Sequence, residues 1–149
     1  MNLNSCMKKE LIDRSGWPSG QWDEEPQDFV AWNSPKTGYR CWLRRDSLGY
    51  WCGYVGVPMS HPLSGMGLYD VPALVVHGGV SYSNAKVFEN PKGEAISGWC
   101  FGFDCNHDED LQPASRIKNG TYRSYDYALD QTAKLCADLY LAELSSKVV

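Results

Sequence analysis

The sequence predicts an α+β fold: a mostly antiparallel sheet of about five strands covered by a C-terminal helix. Three observations carry this expectation. Short aromatic and β-branched runs recur between residues 28 and 105, separated by glycine and proline. Two of those runs flank a short glycine-containing turn, the signature of a hairpin. After them comes one long stretch with helical periodicity. The 149 residues fit one domain with its own core, assigned to 28–149 and preceded by an irregular segment at 1–27.

The elements follow in order. A short helix is predicted near Lys8–Ile12, then a loop through S-G-W-P-S-G-Q-W-D-E-E-P, with Trp17 and Trp22 pinning it to the domain. D-F-V-A-W is the first strand. Y-R-C-W-L-R-R and Y-W-C-G-Y-V-G-V are the next two, joined by D-S-L-G. P-A-L-V-V-H is read as the fourth, with V-S-Y-S continuing it past the glycines. G-W-C-F-G-F-D-C is the fifth, placing Trp99, Phe101, Phe103 and Cys105 on one face and Cys100, Gly102 and Asp104 on the other. The helix is expected to start from a cap at Thr121. Its stripe of Tyr122, Tyr125, Leu129, Thr132, Cys136 and Leu139 is expected to pack on the sheet.

Composition narrows the function. Net charge is -4 and the basic residues are scattered, so a long nucleic acid is excluded as a partner. No apolar run reaches the length of a membrane span and the N-terminus has no apolar signal core, so no membrane partner is expected. The six cysteines form no C-x-x-C pair, which points to reduced, buried thiols and a cytoplasmic location.

The three histidines mark the candidate site. His61 lies in the loop P-M-S-H-P-L-S-G-M-G, His77 precedes Gly78-Gly79, and His107 follows F-D-C-N. Imidazole donates, accepts or ligates near neutral pH. Asp104 is placed to orient His77 or His107, giving a candidate catalytic set of His77, Asp104 and His107. His61, Gly78, Gly79, Tyr82, Arg40 and Arg44 are candidate ligand contacts, the arginines as a clamp for phosphate or carboxylate. Tyr54, Tyr82 and Trp99 are candidate aromatic walls. Each has a plainer alternative: a surface loop for His61, a bulge for His77, a structural turn for Asp104 and a solvated strand face for the arginines. Cys105 near His107 reads first as a core cysteine.

Zinc would accept His77 and His107 with Asp104 or Cys105, but no usual ligand spacing supports it, and no metal or cofactor is assigned. Asp104, Asn106, Asp108 and Asp110 resemble the start of a calcium loop, which fails at Glu109 and Ser115. S-x-x-K at Ser83–Lys86 lacks its companion motifs.

The ordered motifs W-C-G-Y-V-G-V-P-x-x-H-P, V-H-G-G-x-x-Y, W-x-F-G-F-D-C-x-H and G-T-Y-R, with W-D-E-E-P upstream, resemble a family of small bacteriophage and prophage proteins. The resemblance covers roughly residues 17–140 and departs at Ser64, Met66 and Asp108-Glu109-Asp110. It implies phage origin and no particular mechanism. The leading expectation is a phage-associated protein that recognises a small polar, nucleotide-like ligand, by analogy in counter-defence. One alternative is a small hydrolase with a His/Asp site. The other is an inhibitor that binds a host protein, and a homo-oligomer is compatible with each.

Overall fold

Strand-forming runs and glycine turns build one sheet in the computed structural model, which describes residues 12–72, 74–116 and 119–147. In chain order the elements are β1 (Phe29–Asn33), β2 (Arg40–Arg45), β3 (Trp51–Pro58), β4 (Tyr82–Glu89), β5 (Ala95–Asp104) and α1 (Tyr125–Ser146). The sheet order is β1-β2-β3-β5-β4, with every neighbouring pair antiparallel. The α+β expectation holds, including the β2–β3 hairpin. Its turn is closed by Gly49 N–H donating to Asp46 O at 2.8 Å, with Gly49 at φ +99.

Helix α1 covers the face formed by Cys41, Val55, Val57, Phe101 and Phe103, and Leu135, Cys136 and Leu139 pack onto it. The helix approaches closely at Gly53, where a β-carbon would lie 2.3 Å from Thr132 Oγ1. The other face carries Trp42, Tyr54, Phe88 and Cys100. Trp42 and Tyr54 stack there at 5.3 Å between centroids. Glycines seat these rings: a β-carbon at Gly98 would meet Phe88 at 2.5 Å, and one at Gly102 would meet Tyr54 at 2.6 Å.

Residues 14–28 complete the core. Trp22 is buried, and Arg14 donates to the carbonyls of Trp22 and Glu25 at 3.0 and 2.7 Å. Arg45 is fully buried, and each of its three nitrogens has an acceptor. It donates to Asp28 Oδ1, Gly49 O, Tyr122 Oη and Glu25 Oε1 at 2.7–3.0 Å and lies 4.2 Å over the Trp51 ring. Glu25 Oε2 in turn accepts the backbone N–H of Tyr125 at 2.9 Å, so a remote carboxylate satisfies an orphan donor of α1 and its dipole.

Three expectations are corrected. P-A-L-V-V-H is not a strand: Val76, His77 and Gly78 lie in a bend and turn, and Ala73 lies outside the described residues. The run is short, stops at two glycines with positive φ, and buries Val76 against the helix side of the core without a ladder partner. The fourth strand is Tyr82–Glu89, an edge strand whose polar residues hide the alternation. The helix cap is Ser124, which accepts from Tyr127 N–H at 3.2 Å, while Thr121 pairs with Asp110 in an isolated bridge. Within the helix Ala128 and Leu135 are buried, and Leu129 is only partly so. Residues 1–11, including Cys6 and most of the first predicted helix, lie outside the described residues.

Candidate functional site

Two loops and the helix N-terminus converge beside the end of β5. The first loop, residues 59–81, crosses from β3 to β4 alongside α1. Its turn at Val76–Gly79 is closed by Gly79 N–H donating to Val76 O at 2.8 Å, with Gly78 at φ +68. His77 is fixed on that turn by its own N–H, which donates to Gln131 Oε1 on the helix at 2.9 Å. The second loop follows β5. It is knitted to residues 120–121 by Thr121 N–H donating to Glu109 O at 2.8 Å and Leu111 N–H donating to Thr121 O at 2.9 Å. That knot brings Arg123 beside Asp110.

The centre is a single carboxylate oxygen. Asp110 Oδ2 lies 2.8 Å from His77 Nε2 and 3.2 Å from His107 Nδ1, and accepts the His107 backbone N–H at 3.0 Å. Asp110 Oδ1 accepts from Arg123 Nε at 2.8 Å. The remaining nitrogen of His77, Nδ1, meets Tyr127 Oη at 2.7 Å. The two imidazoles are 5.4 Å apart between centroids. Burial pushes the Asp110 carboxyl up, but hydrogen bonds from His77, Arg123 and the His107 backbone outweigh it and hold the group at about 2.

Burial grades the cluster from inside outward. The Asp110 side chain is 1% exposed, His77 12% and His107 39%. The cluster opens into a cleft of about 400 Å³ lined by His77, Gly78, His107, Asp110, Arg123 and the acidic pair Asp108 and Glu109. His77, His107 and Asp110 each offer one ligand atom, and these atoms lie within 4.8 Å of one another. Two imidazoles and a carboxylate, each with an outer partner, form a donor set suited to a divalent transition metal.

The structure brings together His77, His107, Gly78 and, at the margin, Asp104. Asp104 Oδ1 is 3.8 Å from His107 Nε2, and its oxygens accept from Ser81 Oγ at 2.8 Å and Asn106 N–H at 3.1 Å. The residue that orients both histidines is Asp110, which the sequence showed only as one acid of a failed calcium loop. Gly79 forms the turn without touching the cluster, since nothing lies within 4 Å of a β-carbon placed on it.

His61 does not belong to the site. It is buried, its Nε2–H donates to Leu139 O at 2.7 Å, and its Nδ1 accepts from Leu63 N–H at 3.0 Å. Leu139 lies eight residues beyond Gln131 on α1, about 12 Å along the axis at ~1.5 Å per residue. Arg40, Arg44 and Tyr82 are also elsewhere, because the strand register puts them on the face of Trp42 and Tyr54, away from the helix. Arg40 donates there to Asn33 Oδ1 at 2.8 Å. Trp99 is part of the helix-side core, and its Nε1–H donates to Ser83 Oγ at 2.8 Å. Tyr127, Gln131 and Arg123 complete the cluster from the helix end. Of these, Arg123 is a cation just before a helix start, a pattern the sequence does display.

Comparison of the chain with protein-family models, with curated proteins and with solved structures finds no match.

Proposed function

We propose that His77, His107 and Asp110 hold a divalent transition-metal ion and that the protein uses it to hydrolyse a small polar substrate in the cleft. The observation that carries this reading is the convergence of both imidazoles on one oxygen of a buried carboxylate. Three protein ligands leave an open position for water, and a bound metal lowers the pKa of that water toward neutrality. The surrounding charge agrees. Asp108, Glu109 and Asp110 line the cleft against one cation, Arg123, so the rim attracts a cation and disfavours a free anion. Tyr127 and Asp104 are the outer partners that would orient His77 and His107 once the inner nitrogens bind metal. A nucleotide-like ligand held by aromatic stacking has less support, because Tyr54 and Tyr82 lie on the far face of the sheet.

The second reading is hydrolysis without metal. His107 Nδ1–H would donate to Asp110 and leave Nε2 as the general base, and the hydrogen-bond network favours this because it is complete as it stands.

One experiment separates the two. The full chain is loaded with Zn²⁺, analysed for metal, and assayed on p-nitrophenyl acetate, p-nitrophenyl phosphate and bis(p-nitrophenyl) phosphate before and after chelation. The metal reading expects one bound ion, and turnover that chelation abolishes and Zn²⁺ or Mn²⁺ restores. Turnover that survives chelation but not His107→Ala establishes the metal-free base. No bound metal and no turnover on any probe overturns both.

A further inference from the structure

Away from the histidine cleft, the β1–β2 turn at residues 34–38 leans over the middle of α1. It leaves a pocket of about 430 Å³ whose lining includes Trp32, Ser34, Lys36, Thr37, Cys41 and Cys136. Cys41 points from β2 toward the helix and Cys136 from the helix toward the sheet, within one core cluster. The two residues share one core cluster and line the same pocket, and the Cys41 S–H donates to Tyr39 O at 3.9 Å. Thr37 Oγ1 accepts the Tyr39 N–H at 3.1 Å, so its own proton is free to be donated to Cys136 Sγ, 3.3 Å away.

Cys136 sulfur is therefore placed to accept from the Thr37 O–H. Hydrogen bonds aimed at sulfur favour its thiolate. The neighbouring Cys41 thiol draws the Cys136 thiol down against the opposing effect of burial, while the Cys136 side chain and burial push Cys41 up. Burial, helped by the nearby Asp104 carboxylate, pushes the Cys52 thiol up to about 12. Among these buried cysteines the arrangement singles out Cys136, whose sulfur meets a hydroxyl, with a second cysteine of the same core cluster lining the same pocket.

We propose that Cys136 is a peroxide-reactive thiol and Cys41 its resolving partner. The Cys136 thiolate attacks one oxygen of hydrogen peroxide or a small organic hydroperoxide. The O–O bond breaks, the other oxygen leaves as water or alcohol after taking a proton, and Cys136 becomes a sulfenic acid. Cys41 then attacks that sulfur. The S–S bond forms, the S–O bond breaks, and hydroxide leaves with the Cys41 proton as water. Two thiols are oxidised to one disulfide and one peroxide is reduced. The product ties β2 to α1.

The test treats the native full chain with hydrogen peroxide, blocks remaining thiols, and maps each cysteine by peptide mass spectrometry with and without reduction. The expected product is a Cys41–Cys136 disulfide, with Cys52, Cys100 and Cys105 still free. In Cys41→Ala, dimedone should trap Cys136 as the sulfenic acid. Oxidation of Cys52, Cys100 or Cys105 before Cys136 overturns the proposal, and so does passage of Cys136 to sulfinic acid with Cys41 still free. A second measurement needs no variant: on the wild-type chain at neutral pH, iodoacetamide should modify Cys136 at least about tenfold faster than Cys52 or Cys105. Equal or slower modification overturns it as well.

Discussion

Gly78 lies against the His107 imidazole so closely that a β-carbon on it would come within 2.2 Å of Cε1. The same residue has φ +68, a conformation side chains rarely adopt. Gly78 therefore sets the spacing of the two histidines as well as helping to turn the chain. Gly78→Ala is expected to displace His107, weaken Zn²⁺ binding by at least about tenfold and cost about 1 kcal/mol or more in stability. Isothermal titration with Zn²⁺ and a urea melt of the same sample read both effects. Unchanged affinity would mean that His107 is not a ligand.

Asp110 and Asp104 make a sharper comparison. Asp110 touches both histidines and Arg123, whereas Asp104 reaches only His107, at 3.8 Å. Asp110→Asn should abolish metal binding and cost about 1–3 kcal/mol, because Arg123 and His77 lose a charged acceptor. Asp104→Asn should leave stability nearly unchanged and reduce affinity by about 10–100-fold at most, the range for an outer partner. The reverse ranking in metal titration would return the orienting role to Asp104.

Much of this was legible in the sequence, and the misses have physical causes. The alternation Trp99, Phe101, Phe103 against Cys100, Gly102 placed both faces of β5 correctly, because a half-buried strand must alternate. His77 and His107 announced themselves as imidazoles next to glycine and acid. Asp110 did not, since its importance comes from a backbone bridge to Thr121 that no local pattern encodes. Tyr127 and Gln131 read as ordinary helix residues until the 59–81 loop is laid beside α1. The A-L-V-V run ending at Val76 looked like a strand because periodicity cannot distinguish a short buried loop from a short buried strand.

Glu25 offers a pH test that does not involve the candidate site. Burial alone would raise its carboxyl, but hydrogen bonds from Tyr122, the Tyr125 N–H, Arg45 and Trp51 hold it below its ordinary value. A carboxylate depressed in the folded state contributes stability above its unfolded pKa, roughly 4.3, and loses it as pH falls through the lower folded value. Glu25→Gln should therefore destabilise at pH 7, by less than the ~3–5 kcal/mol typical of a broken buried pair because Asp28 still faces Arg45. The gap between variant and wild type should narrow as pH drops below about 4. Denaturant melts across that range check it, and a gap that is constant with pH would show that the charge of Glu25 contributes nothing.

His61 provides the complementary case, a histidine whose work is structural. Its Nε2–H donates to Leu139 O in the middle of α1, and its Nδ1 accepts the Leu63 N–H, so one neutral tautomer satisfies both contacts. Leu139 O belongs to a helix carbonyl that already faces its own ladder, so the imidazole adds a second bond there and ties the start of the 59–81 loop to the helix. His77 ties the end of the same loop through Gln131 and Tyr127. His61→Ala removes the first tie and leaves the Leu63 N–H without its acceptor, at a cost of about 1–3 kcal/mol for a buried unsatisfied group. The second tie is independent, because it is made by other residues about 12 Å further along the helix. The variant should accordingly melt earlier yet bind Zn²⁺ within about threefold of wild type, since well-separated sites behave additively. Thermal melts and metal titration of the folded variant decide this. A large loss of affinity in a fully folded His61→Ala protein would show that the loop transmits strain from one tie to the other, and that the metal ligands are positioned by the whole segment rather than by its final turn.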